Sequence, residues 1–264
     1  MLDARLSISG EVVAYTSPVI RLTPHPGLHP VFEALGYAAG FAVYRWQRSR
    51  RGDVIGLEQR WLIIAAAAIG ALVGSRFLGL AEQWPQLQTR HWGMLWLPGG
   101  KTIVGGLLGG WLAVEFVKRM TVIRNRTGDL FVLLLCVGIA VGRVGCLLAG
   151  MADDTYGKPT GLPWGVDFGD GVARHPTQAY EIVFLLMLAA FLSWRTRKPH
   201  REGALFRIFL AAYLAWRLVI DFLKPQPLVA GMNMIQWACI AGLAALAVGE
   251  FLTIRSRFEE MRVA

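Results

Sequence analysis

GRVGCLLAGMADDTYGKPTGLPWGVDFGDGVARHPTQAYE, from Gly142 to Glu181, is a polar, glycine-rich block set between two long apolar runs. Its second residue, Arg143, stands inside what otherwise reads as a membrane helix. A guanidinium near the bilayer centre costs on the order of 2.5–3.5 kcal/mol on insertion scales, so a chain keeps one there only if it is shielded, snorkelled or used. The block is therefore read as a functional site, and the runs around it as spans.

Working outward, apolar stretches at His29 to Trp46, Trp61 to Ala81, Thr102 to Val117, Leu130 to Ala149, Gln178 to Trp194, Leu205 to Leu223 and Met232 to Ile254 reach or approach the roughly 17–25 residues of a spanning helix. Composition agrees: of 264 residues, 55% are hydrophobic and only 17% charged, more apolar than a soluble domain of that length needs. The expectation is an all-α integral membrane protein, a seven-helix transmembrane bundle forming a single domain over 1–264. Residues 1–28 should lie on the outer surface, and 149–177 should form a structured outward loop.

Charge placement gives the expected orientation. Arg48, Arg50, Arg51 and Arg60 follow the first span, Lys118, Arg119, Arg124 and Arg126 the third, and Arg195, Arg197, Lys198 and Arg201 the fifth. The intervening connections carry few cations: Arg90 and Lys101, Lys158 and Arg174, and Lys224. Cation-rich loops stay cytoplasmic, which puts the N-terminus outside and the C-terminus, with Arg255, Arg257 and Arg262, inside. The net charge of +9 is then mostly a topology signal, and no nucleic-acid partner is expected. Met1 to Thr23 lacks the compact apolar region of a cleaved signal peptide. Cys136, Cys146 and Cys239 have no paired spacing, so neither a disulfide framework nor a zinc site is supported and no metal or cofactor is expected. Trp84, Trp92, Trp96 and Trp164 read as an interfacial belt.

A second cation lies within an apolar run. Arg217 is followed four residues later by Asp221, on the same helical face. Two arginines in separate spans suit an anionic phosphate head group, which a guanidinium binds bidentately while staying charged. The competing reading is that Arg217 and Asp221 neutralise each other inside the bundle. Gly142, Gly145 and Gly150 would allow close helix contact or approach to a ligand. Gly157, Pro159, Gly161 and Pro163 punctuate an ordered re-entrant loop, which survives at membrane depth only against protein or a cavity.

These residues match a family. Gly142-Arg143-Val144-Gly145, YGKPTGLPWG at Tyr156 to Gly165 and RHPTQAYE at Arg174 to Glu181 resemble the signature of bacterial prolipoprotein diacylglyceryl transferases. GSRF at Gly74 to Phe77 looks like that family's Gly-Ala-Arg segment, GGLLGG at Gly105 to Gly110 like its His-Gly-Gly segment, and WRLVIDFLKP at Trp216 to Pro225 like its Phe-Arg-Phe-x-x-Glu-Phe-x-Arg-x-Pro segment. The resemblance implies transfer of diacylglycerol from phosphatidylglycerol to the lipobox cysteine of a preprolipoprotein, at the outer leaflet of the bacterial cytoplasmic membrane. Seven spans with the N-terminus outside agree with it.

The departures concern the chemistry. Val104 stands where the family carries the histidine of His-Gly-Gly, and Cys146 where it carries an asparagine. Glu33 aligns with an early tyrosine of the family, and Asp154 with a glutamate across an apparent insertion of Ala152 and Asp153; Tyr156 is retained. To replace the missing base, His29 and Glu33, one turn apart at the outer end of the first span, are the preferred pair, since burial would raise the Glu33 carboxyl toward the working range. His175 is the runner-up, with a positioning role equally open. Glu181 is read as a site residue, pairing with Arg143 or accepting a helix-terminal hydrogen bond. Cys146 is either a nucleophile activated by Arg143 or a small packing residue.

Arg143 and Arg217 are thus expected to hold the phosphate and stabilise the departing glycerol phosphate. Gly142, Gly145, Cys146, Asp154, Tyr156, Gly157, Arg76, Gly105, Gly106, Tyr180, Asp221 and Gln236 are expected to line the substrate site. The outward-loop acids Asp153, Asp154, Asp167 and Asp170 would contact the head group or the acceptor peptide, or be merely solvated. Two other functions stay open: a transferase of the same fold with another acceptor or head group, and a non-catalytic phospholipid-binding protein.

Overall fold

A computed structural model describes residues 20–87, 100–121 and 123–263. The expected surface segment before residue 20, Arg90, Trp92 and Trp96 lie outside the described residues, as does the side chain of Trp84. The seven apolar stretches each become a helix: α1 (His29–Arg51), α2 (Leu57–Leu87), α3 (Ile103–Thr121), α4 (Val132–Ala149), α5 (Thr177–Arg195), α6 (Ala204–Ile220) and α7 (Met234–Val263). Among the described residues, four segments are long and apolar enough to cross a membrane: Leu57–Gln83, Gly128–Asp153, Thr177–Arg195 and Met234–Thr253. Helix α1 carries four arginines in its last two turns, α3 carries Glu115, Lys118 and Arg119, and α6 has 17 residues. The protein is a helical membrane protein. Leu72, Phe77 and Phe116 are respectively 75%, 74% and 64% exposed, an apolar exterior that suits lipid and not water.

The chain divides into two compact units. The first comprises 20–43, Leu134–Ala189 and Leu223–Pro225. Here α1 meets α4 through glycine: a Cβ added at Gly36 would lie 2.7 Å from the carbonyl oxygen of Gly138, so the missing side chains let the two backbones approach. The same unit holds a small sheet that the all-helical expectation lacked. Strand β1 (Ile20–Arg21) pairs in parallel with β2 (Val166–Asp167), which pairs antiparallel with β3 (Ala173–Arg174). Two-residue strands are too short to show an alternating pattern, so the sequence carries no signal for them. The Leu22 amide donates to Asp167 O and the His25 amide to Leu148 O, tying the segment before α1 to the last turn of α4 and to the loop after it.

The second unit comprises Tyr44–Leu133, Ala190–Phe222 and the chain from Gln226. Its helices α2 and α3 meet over two glycine pairs; a Cβ at Gly70 or Gly74 would collide with the carbonyls of Gly109 and Gly105. The N-terminus of α6 is capped from a distance: Asp129 accepts the amides of Gly203 (2.7 Å) and Phe206 (2.9 Å), satisfying donors a helix start leaves orphaned. Arg60, read from sequence as a topology charge, is 1% exposed. It ion-pairs with Asp53 and lies over the Phe131 ring at 5.3 Å. Burial pushes the Asp53 carboxyl up, but the guanidinium of Arg60 and the nearby Arg48 together hold it below the usual carboxylate range.

Candidate functional site

The first unit brings five polar side chains together from four elements. Arg143, 5% exposed, projects from α4, and its Nε lies 3.0 Å from Oε2 of Glu181, the fifth residue of α5. The Nε hydrogen is not directed along that line, so the contact is Coulombic more than a hydrogen bond. Sequence spacing offers Arg143 no evident partner in its own helix; the fold supplies one from another helix. Nη1 of Arg143 reaches toward Cys146 Sγ at 3.7 Å, one turn along α4. Cys146 Sγ in turn lies 3.6 Å from His29 Nε2, at the start of α1.

His29 does not join Glu33 as expected. Its Nε2 sits 3.1 Å from Asp153 Oδ1, while Glu33 accepts a 3.4 Å hydrogen bond from the Tyr37 hydroxyl. Spacing puts Asp153 in an apparent insertion and aligns Asp154 with the family's glutamate. In the structure the 3₁₀ turn Gly150–Asp153 ends with Asp154 in the left-handed region (φ 52°), and Asp153 is the residue facing His29. The other Asp153 oxygen accepts from Thr155 Oγ1. Nothing in a single sequence marks this cluster, because His29 and Cys146 are 117 residues apart.

Around it the loop is locally satisfied. His175 Nδ1 is 3.3 Å from the Tyr180 hydroxyl, which also accepts the Trp164 indole N–H at 2.8 Å. Burial holds the His175 imidazole below its ordinary range. Arg174 lies over the Tyr156 ring at 5.2 Å and pairs with Asp170. Gly157 packs against His175, which leaves no room for a side chain there. The acids of the 149–177 loop are also engaged: Asp167 accepts the amides of Gly169 and Gly171, both at 2.9 Å, an Asx-type turn. Gly145 meets Phe32 and the His29 backbone, but no atom comes within 4 Å of where a Gly142 Cβ would stand, so helix contact does not account for Gly142. Gln178, in the RHPTQAYE run, is 1% exposed, and neither end of its amide has a hydrogen-bond partner among the described residues. Such a group is costly to bury unsatisfied, and nothing in its sequence context singles it out.

In the second unit, Arg217 and Asp221 are 3% and 2% exposed and form a two-pronged pair, Nε and Nη2 each donating at 3.1 Å. Gln236 has a capping role: its Oε1 accepts the Asn233 amide at 2.9 Å while Asn233 Oδ1 accepts the Gln236 amide at 2.7 Å, a reciprocal box at the start of α7. Its Nε2 donates to Leu218 O. Gly105 abuts the Gly74 carbonyl, and a Cβ added at Gly106 would lie 3.7 Å from Ala71 O, so helix packing accounts for both. Val104 is fully buried, and Arg76 is half-buried on α2.

The comparisons converge on one family. The family model for prolipoprotein diacylglyceryl transferase matches residues 28–252. Proteins named phosphatidylglycerol--prolipoprotein diacylglyceryl transferase are similar to this chain. That of Clostridium tetani is 29% identical over 73% of this chain and 78% of its own length. That of Geobacter sulfurreducens is 30% identical over 72% and 74%. That of Bordetella parapertussis is 34% identical over a shorter match, 55% of this chain and 58% of its own length.

Proposed function

Because the chain belongs to the prolipoprotein diacylglyceryl transferase family, we propose that it moves the diacylglyceryl group of phosphatidylglycerol onto the cysteine thiol in the lipobox of a prolipoprotein. The observation that carries the reading is the Arg143 guanidinium: buried, held by Glu181 from one side, and turned by Nη1 toward Cys146 and the half-exposed His29. A cation fixed before substrate arrives can bind the phosphodiester and then stabilise charge growing on the departing glycerol phosphate oxygen. The acceptor sulfur forms a bond to the glycerol carbon bearing the phosphate ester, and the carbon–oxygen bond breaks with its electrons leaving on glycerol phosphate. Gln178 lies three residues before Glu181 on α5, and its buried amide is read as the group that takes up the hydroxyls of the substrate glycerol.

The membrane setting is part of the proposal. All seven helices are read as spans of the bacterial cytoplasmic membrane, since even α6, at about 1.5 Å per residue, is close to the roughly 30 Å hydrocarbon core. The cation-rich connections then face the cytoplasm, and the 149–177 loop, with His29 and Arg143, faces the outer leaflet. Arg217, engaged by Asp221, is read first as a structural pair and only second as another phosphate ligand.

The test is mass spectrometry of a lipobox-cysteine peptide incubated with the full-length protein and phosphatidylglycerol in bilayer discs. A diacylglyceryl mass gain is expected, with a rate roughly 10²–10³ lower in Arg143→Ala, the loss typical of removing one transition-state donor. A folded protein that binds phosphatidylglycerol but adds no mass to the peptide overturns this reading in favour of another acceptor or a binding role.

A further inference from the structure

His29, Cys146 and Asp153 turn three metal-ligating atoms toward one point. His29 Nε2 lies 3.1 Å from Asp153 Oδ1 and 3.6 Å from Cys146 Sγ, and all three ligand atoms lie within 4.8 Å of one another. One Nε2 carries at most one hydrogen, so it cannot donate to both neighbours at once. The separations fit a shared cation better. With zinc–nitrogen distances of about 2.0–2.1 Å and zinc–sulfur of about 2.3 Å at tetrahedral angles, a ligand nitrogen and sulfur fall about 3.5 Å apart, and a nitrogen and oxygen about 3.3 Å.

We propose that His29, Cys146 and Asp153 form a three-ligand zinc-type site whose fourth position takes the thiol of the acceptor cysteine. The inference rests on the transferase reading for the identity of that fourth ligand. Three protein ligands with one open position is the pattern of catalytic zinc sites. Charge balances: a thiolate and a carboxylate offset a divalent ion, and the Arg143–Glu181 pair beside them is itself neutral. The Arg143 guanidinium, 3.7 Å from Sγ, opposes the ion. Thr155 Oγ1 donates to Asp153 Oδ2, which orients the carboxylate and leaves Oδ1 facing His29.

The site would do what the residue at Val104 cannot. A thiol bound to zinc is deprotonated outright. Its proton passes to water, and the sulfur forms the carbon–sulfur bond as the carbon–oxygen bond of the phosphate ester breaks onto glycerol phosphate.

Full-length protein in bilayer discs, stripped with a chelator, is titrated with Zn²⁺ and with Co²⁺. One equivalent per chain is expected, with a thiolate charge-transfer absorption in the cobalt form that Cys146→Ala abolishes. His29→Gln and Asp153→Asn should each weaken zinc binding at least ~100-fold, and Thr155→Val about tenfold; the conservative changes keep the test open if an alanine variant does not fold. No saturable binding beyond that of Cys146→Ala overturns the site. Undiminished transfer by stripped protein overturns its part in catalysis and leaves the transferase reading standing, whereas zinc binding without transfer by the loaded protein supports the site and sinks that reading.

Discussion

Arg143 and Arg217 both sit in apolar helices with a carboxylate 3.0 Å away, but the pairs are built differently. Arg217 takes its partner from one turn further along its own chain, and both oxygens of Asp221 are engaged. Arg143 takes Glu181 from another helix, with Nε 3.0 Å from Oε2, and turns Nη1 toward Cys146. A local two-pronged pair completes itself as the helix forms. A pair assembled across helices exists only in the folded unit.

The largest expected effect breaks the local pair. Arg217→Ala removes the two-pronged partner of the buried Asp221 carboxylate, at a cost of about 3–5 kcal/mol, seen as a lower unfolding midpoint. Arg217→Met with Asp221→Leu should recover most of that stability; if the recovered protein also transfers lipid at the parent rate, Arg217 is structural, and if it is stable but inactive, Arg217 serves the phosphate.

A smaller change sharpens the contrast between capping and binding. Gln236→Ala removes one half of the α7 box and should cost about 1 kcal/mol, lowering the midpoint without changing KM for phosphatidylglycerol. A raised KM at unchanged stability would return Gln236 to the substrate site.

The smallest effect is in pH. Because burial holds the His175 imidazole below its ordinary value of 6.5, the unfolded chain binds a proton there more readily than the folded loop does. Stability of the loop should fall as pH drops beneath about 6.5 and stay level above it. Trp164, which shares the Tyr180 hydroxyl with His175, reports this by fluorescence, and His175→Asn should flatten the profile.

What can be read from the sequence is whatever lies along a single helix. The seven helices follow from apolar runs, and Arg217 with Asp221 follows from a spacing of four. The cluster of His29, Cys146 and Asp153 escapes, because its members meet only after α1, α4 and the turn beyond α4 have packed. Gln236 is ambiguous for the opposite reason: a capping box is visible as Asn233 and Gln236 three apart, but a polar group in an apolar run reads equally well as chemistry. The choice between Asp154 and Asp153 turns on a backbone reversal that no spacing encodes.

The glycine contacts between α2 and α3 have a consequence for lipid traffic. Where carbonyls stand in the space side chains would fill, no acyl tail can wedge between the two rods. That seam is sealed, and a phospholipid sliding in from the bilayer must find its doorway along some other edge.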